Sequence, residues 1–463
     1  MTTVSNVSRK AQALYKFLGF NDRNRNGIIE KNSNENYKQE ADINKDGKIV
    51  EAEAKYYLQN MENVGPAAKQ GFELTEKDRK VLSACFQEAL GKTRAIEDPE
   101  LRSGEMNSIA TNMAKAGLFK EALEVARTIE YPLYKAQAFM SIGSKMAKAG
   151  KTKSEISNVF KEALGATIVI KDADFIQESD RKALVAGMIA SSMVEAGLDK
   201  EEISEIFKGM LDTARAMNDQ AAKSSSIRGL AFGMARARLN EYDISKAYIE
   251  ALEAAGAIKE LMVIAFAIKG IVFEISEGGL DKNEIKKVFD EALKVARTIN
   301  YPDYKVEAVM YIASGMVKAG WDKDEITKVF KEALEGTRDI GPDAKAGVIV
   351  EIAREMAEAG LDKNEISKAF QLALEAARAM NINNPEFKAL DLRHIASEMA
   401  KAGIDKNEII NVLKEALATA KAIENQDLKA GVIGDIVSTM DKIGLDKQEI
   451  GDIFKEAGLE PPK

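Results

Sequence analysis

The sequence has one cysteine, Cys85, and one histidine, His394. A single cysteine closes no internal disulfide, and Cys85 sits in an apolar helical run. His394 falls in the first turns of a repeat helix, so neither a Ser/His nor a Cys/His catalytic pair is suggested. Basic excess is missing too. The formal net charge is −8, whereas a nucleic-acid surface needs a basic footprint. No run of about 18 apolar residues occurs, and the opening MTTVSNVSRK has no apolar signal core. These absences lead us to expect a cytoplasmic protein with no nucleic-acid and no membrane partner. No phosphate loop, nucleophile–base pair or convergent acid cluster stands out, so no enzymatic activity is expected.

What the chain does have is self-similarity. The stretch Glu355 to Met380, EMAEAGLDKNEISKAFQLALEAARAM, reads as a helix end, a tight turn and a second helix. Gly360 stands where a helix end needs a left-handed residue. Asp362 offers an acceptor to the free N–H groups of the next helix, with Glu365 three residues on. The same Asp-x-x-Glu recurs at Asp199, Asp281, Asp322, Asp405 and Asp446. Helix capping accounts for every copy by position, without invoking a metal. The turn glycines (Gly117, Gly150, Gly197, Gly279, Gly320, Gly360, Gly403 and Gly444, with Arg238 in one place) recur about every 41 residues, the signature of a solenoid.

Further columns fill the expected core. Four residues before each turn position stand eight methionines and Ile275. Eight before stand isoleucines and Leu230, on the same helix face. An aromatic or apolar residue (Phe86, Phe119, Phe160, Phe207, Tyr248, Phe289, Phe330, Phe370, Leu413, Phe454) precedes each Glu-Ala-Leu-like stretch. A first helix rich in Ala and Ile, an Ala-Gly turn and a second helix of this kind resemble tetratricopeptide repeats. Gly117 to Leu123, followed by Pro132, is most like them. The other copies carry more residues at the turn and mostly lack the large aromatics of that family's first helix. The resemblance covers about residues 77–458 and implies a right-handed superhelix with a concave peptide-binding face.

The N-terminal 64 residues differ. A helix over Ser8 to Phe20 is expected to end at Gly19. Two Asp/Asn/Gly-rich loops follow. In the second, Asp42, Asn44 and Asp46 alternate, Gly47 takes the bend, Ile49 the apolar place and Glu53 the twelfth. A hard cation wants six to eight oxygens, and a tight loop can aim alternate side chains inward. This loop closely resembles the EF-hand family. The resemblance implies calcium held by Asp42, Asn44, Asp46, the Lys48 carbonyl and both oxygens of Glu53, with Val50 acting through water. The first loop offers Asp22, Asn24, Asn26 and Ile28 but ends in Ser33, which supplies no bidentate carboxylate, so a weak or structural site is expected. Ile29 is placed to pair with Ile49. The loops are close together, as in a compact dockerin-type pair. Glu51 to Asn63 reads as the exit helix and Val64 to Ala68 as a linker, short enough for the module to cap the first repeat helices.

Two other features carry functional expectations. Fifteen residues before the turn positions stand Arg102, Lys135, Lys182, Lys223, Lys305, Lys345, Lys388 and Lys429, with Ile264 in the ninth place. Cations in a first helical turn oppose the macrodipole. They are met either by acidic side chains of the adjacent repeat or by an acidic or C-terminal peptide. A second column (Arg94, Arg127, Arg215, Arg297, Arg338, Arg378, Lys421) lies at the ends of second helices and reads as structural. Between Arg238 and Gly279 the pattern breaks, and Leu261 to Ile275 is apolar on nearly every face. That segment is either a buried central repeat or a surface for a partner or a second copy. Extra residues near Lys171 to Ser179 predict a longer loop.

The sequence therefore predicts an all-α chain. An EF-hand-type module (1–64) precedes an α-solenoid of about nine helical hairpins (65–463). The expected function is a non-enzymatic, calcium-binding scaffold for a protein or peptide partner. The alternative is a structural subunit that self-associates into a homo-oligomer through the solenoid surface.

Overall fold

The computed structural model describes residues 9–20, 28–31, 37–170, 178–380 and 385–460. The chain falls into two compact units, Met1–Ala247 and Tyr248–Lys463, so the boundary expected near residue 64 lies inside the first.

The first unit opens with α1 (Arg9–Leu18), β1 (Ile28–Glu30), β2 (Lys48–Val50), α2 (Glu51–Asn60) and the short α3 (Pro66–Lys69). The repeat helices follow as α4 (Glu76–Thr93), α5 (Pro99–Lys115), α6 (Phe119–Thr128), α7 (Pro132–Lys148), α8 (Lys153–Ile168), α9 (Glu178–Glu195), α10 (Lys200–Arg215) and α11 (Gln220–Arg236). The residues of α12 (Glu241–Gly256) divide between the units. First helices pack on first helices, α5 on α7, α7 on α9 and α9 on α11, and the second helix α8 packs on α10.

The second unit continues with α13 (Leu261–Ser276), α14 (Lys282–Thr298), α15 (Pro302–Lys318), α16 (Lys323–Gly336), α17 (Pro342–Glu358), α18 (Lys363–Ala379), α19 (Pro385–Lys401), α20 (Lys406–Ala420), α21 (Gln426–Lys442) and α22 (Lys447–Glu456). Here α13 packs on α15, α17 on α19, α19 on α21 and α20 on α22. The repeat helices of each unit thus form a solenoid built neighbour to neighbour. Among the described residues, no helix is long and apolar enough to cross a membrane.

The turns form as the sequence predicts. Gly360 has φ +62°, and the Leu361 N–H reaches back to the Met356 carbonyl at 3.2 Å, closing α17. Arg238, at φ +51°, takes the same left-handed conformation without glycine's freedom. The Asp362 side chain then accepts from the Asn364 N–H, starting α18. The full reciprocal box, in which the glutamate also caps back, forms at Asp199/Glu202 and Asp446/Glu449. Glu365 instead leaves its cap for two lysines, Lys331 and Lys368. The methionine and isoleucine columns are buried throughout. So is the aromatic column except Phe119, which opens the short α6 and lies half-buried under Lys151.

One segment breaks the stacking rule in the second unit. At Gly336, α16 gives way to a 3-10 turn, Thr337–Asp339, that packs against both α15 and α17. A Cβ at Gly336 would stand 2.8 Å from Val306 Cγ2, so the turn lies this close to α15 because Gly336 has no side chain.

In the N-terminal module β1 and β2 pair antiparallel with Ile29 opposite Ile49, as expected. Ala11, Leu14, Tyr15, Leu18, Ile29, Ile49 and Leu58 form its core. The segment expected as a linker is structured instead. α3 is tied back by Lys69 Nζ, which donates to the Gln59 and Met61 carbonyls at 3.0 and 2.7 Å. The module rests on the first repeat helix: Tyr56 meets Phe86 edge-on at 5.8 Å, and Lys55 pairs with Asp78 at 3.1 Å.

Candidate functional site

The loop from Asp42 to Glu53 is wound around its own carboxylates. Asp42 Oδ1 accepts from the Asp46 N–H at 3.2 Å and Oδ2 from the Gly47 N–H at 2.8 Å. Asp46 Oδ1 accepts from the Lys48 N–H at 2.8 Å. Glu53 takes the Ile43 N–H on one oxygen and the Val50 N–H on the other, at 3.0 and 2.9 Å. Lys45 (φ +56°) and Gly47 (φ +84°) supply the left-handed steps that bring these groups together. Asp42 Oδ1, Asp46 Oδ1 and both Glu53 oxygens each accept one backbone hydrogen and keep a further lone pair.

Burial sets the electrostatics. Asp42, Asn44 and Glu53 are buried, Glu53 to 1% exposure. Burial lifts the Glu53 carboxyl to about 7. Two backbone hydrogen bonds oppose the rise, and the negative charges of Asp42 and Asp46 add to it. Cys85, on α4, is pushed up to about 12, mainly by burial and then by Glu53 beside it. Among the described residues, no three carboxylate, imidazole or thiol side chains stand close enough to hold a metal ion between them. The donor types are nonetheless hard oxygens, which suit calcium and not a soft metal. Asp22, Asn24 and Asn26 lie outside the described residues, and Ile28 stands in β1 opposite Val50.

Four residues that the loop motif does not predict hold it in place. Tyr37 donates its hydroxyl to Asp42. Asn44 Nδ2 donates to Glu88 at 2.7 Å, Lys92 donates to the Asn44 carbonyl, and Lys45 lies 3.9 Å from Glu105. Glu88 and Lys92 are on α4 and Glu105 on α5, so the loop and the first repeat helices share polar contacts. Only tertiary packing brings them together; no local pattern marks them.

The basic ladder runs along the first turns of the first helices, and none of its eight cations is fully exposed. Three of them point back to the end of the preceding second helix. Arg102 donates to the Ile96 carbonyl at 2.8 Å, Lys345 to that of Arg338 and Lys388 to that of Arg378, both at 3.0 Å. The unfavourable dipole of one helix is offset by the favourable carbonyl end of another. Arg102 also meets Glu130 at 3.0 Å, the acidic partner expected from the adjacent repeat. Lys182 is buried and donates to Ser225 at 2.9 Å. Lys182 borders, with Ser226, a cavity of about 10 Å³, which admits a water at most and no substrate. Lys135, Lys223, Lys305 and Lys429 are half-buried in α7, α11, α15 and α21.

Three members of the second basic column tie consecutive second helices together. Arg127 grips Glu162 with two nitrogens at 2.9 and 2.7 Å, Arg297 grips Glu332 at 2.7 and 2.7 Å, and Arg378 grips Glu415 with 2.7 Å at its shortest. Each arginine meets the glutamate of the next Glu-Ala-Leu. Arg338 lacks this partner, because Leu372 occupies the corresponding place and is 42% exposed. A cleft of about 460 Å³ opens there between α16, α17 and α18. In the irregular segment, α13 buries Val263, Ile264, Ile268, Ile271 and Ile275 and leaves Met262 and Phe273 outside, the latter under Lys318 at 4.6 Å.

No family model matches the chain, and no curated protein matches it. Among solved structures, the chain is similar to Ton1535 from Thermococcus onnurineus NA1, at 19% identity and a TM-score of 0.24, covering 78% of this chain and 98% of that one. It is also similar to a circular tandem repeat protein with novel repeat topology and enhanced subunit contact surfaces, at 13% identity and a TM-score of 0.32, covering 82% and 88%.

Proposed function

We propose that the chain is a non-enzymatic interaction scaffold for a protein or peptide, and that calcium orders the N-terminal module capping its solenoid. The observation that carries the calcium reading is Glu53. It is a buried carboxyl facing two further acids, and its hard-oxygen neighbours share the loop with backbone N–H groups. A divalent cation would supply the positive charge that this group of acids otherwise lacks. Asp42, Asn44, Asp46, the Lys48 carbonyl and Glu53 are the residues that would hold it. Asn44, bonded to Glu88 and Lys92, carries any ordering of the loop into α4. The end helix of a solenoid needs such cover for its apolar face, and Tyr56 against Phe86 provides it.

Calorimetric titration with calcium, joined to thermal melts in calcium and in chelator, tests this reading on the intact chain and on Glu53→Gln. The expected result is a saturable site and a melting point that rises with calcium by mass action, both lost in the variant. No heat and no shift at millimolar calcium would overturn the calcium assignment and leave a repeat scaffold alone.

A further inference from the structure

The cleft beside Leu372 has a missing part that the chain itself identifies. In three other repeats a bidentate arginine–glutamate pair joins successive second helices: Arg127 with Glu162, Arg297 with Glu332, Arg378 with Glu415. Arg338 occupies the same position. Its side chain has no hydrogen-bond or ion-pair partner among the described residues, and its carbonyl serves only to hold Lys345. Leu372 contributes an exposed isobutyl group where these three copies place a carboxylate.

The rest of the lining narrows what would complete the site. Leu334, Ile349 and Ala376 join Leu372 to make an apolar wall. Of the lysines that line it, Lys331 and Lys368 both pair with Glu365, at 2.7 and 3.1 Å, and Lys345 is engaged by a backbone carbonyl. The open cationic group is therefore Arg338. Glu335 and Glu375 also line the cleft, so a run of acids would be repelled where a single carboxylate is accepted. The volume, about 460 Å³, lies within the range of ligand sites.

We infer that this cleft binds a partner-protein segment presenting one aspartate or glutamate beside a bulky aliphatic side chain. The carboxylate completes the fork on Arg338 as Glu332 does on Arg297, and the aliphatic group covers Leu372, Leu334 and Ile349. A planar guanidinium favours a carboxylate for its two parallel hydrogen bonds. The inference rests on the scaffold reading and gives it a site and a ligand chemistry.

The test uses fluorescein-labelled Gly/Ser peptides bearing one leucine and one glutamate at zero to three residues' separation. Companion peptides carry glutamine for glutamate, serine for leucine, or lysine for glutamate. Anisotropy is read on the intact chain, on Arg338→Gln and on Leu372→Glu. The last variant restores the chain's own repeat pattern and gives Arg338 an internal partner. Its melting point should equal or exceed that of the parent, so lost binding is not lost folding. Saturable binding of a leucine–glutamate peptide is expected, weakened at least about ten-fold by glutamine in the peptide and by either protein substitution. Binding that survives both substitutions would overturn the site and leave the scaffold reading standing. Absence of saturable binding by any peptide overturns the site and counts against the scaffold reading as well.

Discussion

At neutral pH the Glu53 carboxyl sits near its midpoint, lifted from 4.5 to about 7 by burial. In the unfolded chain it would release its proton near 4.5, so between these values the folded state holds a proton that the unfolded state has lost. Its stabilisation is therefore present below that window and lost as pH rises through it, by on the order of 3 kcal/mol at most. In chelator, the intact chain should melt higher at pH 5 than at pH 7.5, and Glu53→Gln should flatten that difference. An unchanged slope in the variant would mean that other groups set it. The motif residues themselves were legible in the sequence, because an EF-hand-like loop is local. Glu88 and Lys92 were not, because they reach the loop only once the module has packed on α4.

Among the elements, the turn is the most regular part. Its glycines, caps and apolar columns could all be read from spacing, since each depends on residues within one hairpin. The exception is itself informative. Arg238 holds φ +51°, a conformation that costs a non-glycine residue about 1–2 kcal/mol. Glycine there removes that cost but adds unfolded-state entropy, so Arg238→Gly should raise stability by about 0.5–1 kcal/mol in denaturant melts. A loss would show that the Arg238 side chain contributes more than its backbone costs. The ladder was legible as a row of cations, yet three of them are met by backbone carbonyls, and of these three Arg102 also meets an acid. Which way a lysine reaches depends on where the preceding helix ends, and that is a packing fact. The order of the linker was hidden for the same reason: Val64 to Ala68 has a linker's composition, and Lys69 and Gln59 tie the segment down from outside it. The cleft was hidden because Arg338 fits its column. The departure is at Leu372, a helix away.

Across the whole molecule, stability passes between nearest neighbours. If calcium orders the module, its effect enters through α4 and weakens with each interface beyond it. Amide hydrogen exchange with and without calcium should therefore slow most in α2, α4 and α5 and leave α20 to α22 unchanged. Equal slowing along the chain would contradict a nearest-neighbour solenoid. The all-α class and its nine described hairpins were plain from the period alone, whereas the division at Ala247 was not, since contact density leaves no mark on a repeat pattern.

The arginine–glutamate forks also bear on how the chain finds its order. Arg127, Arg297 and Arg378 are chemically interchangeable, and so are Glu162, Glu332 and Glu415. Each arginine would be equally well matched by a glutamate two repeats away, or in another molecule at high concentration. These forks hold correct neighbours together but cannot tell correct from incorrect ones. Assembly in sequence must come from short connections and from the units that do not conform: a leucine where a carboxylate belongs, an arginine in a glycine's turn. In a chain of near copies, such irregularities work as addresses.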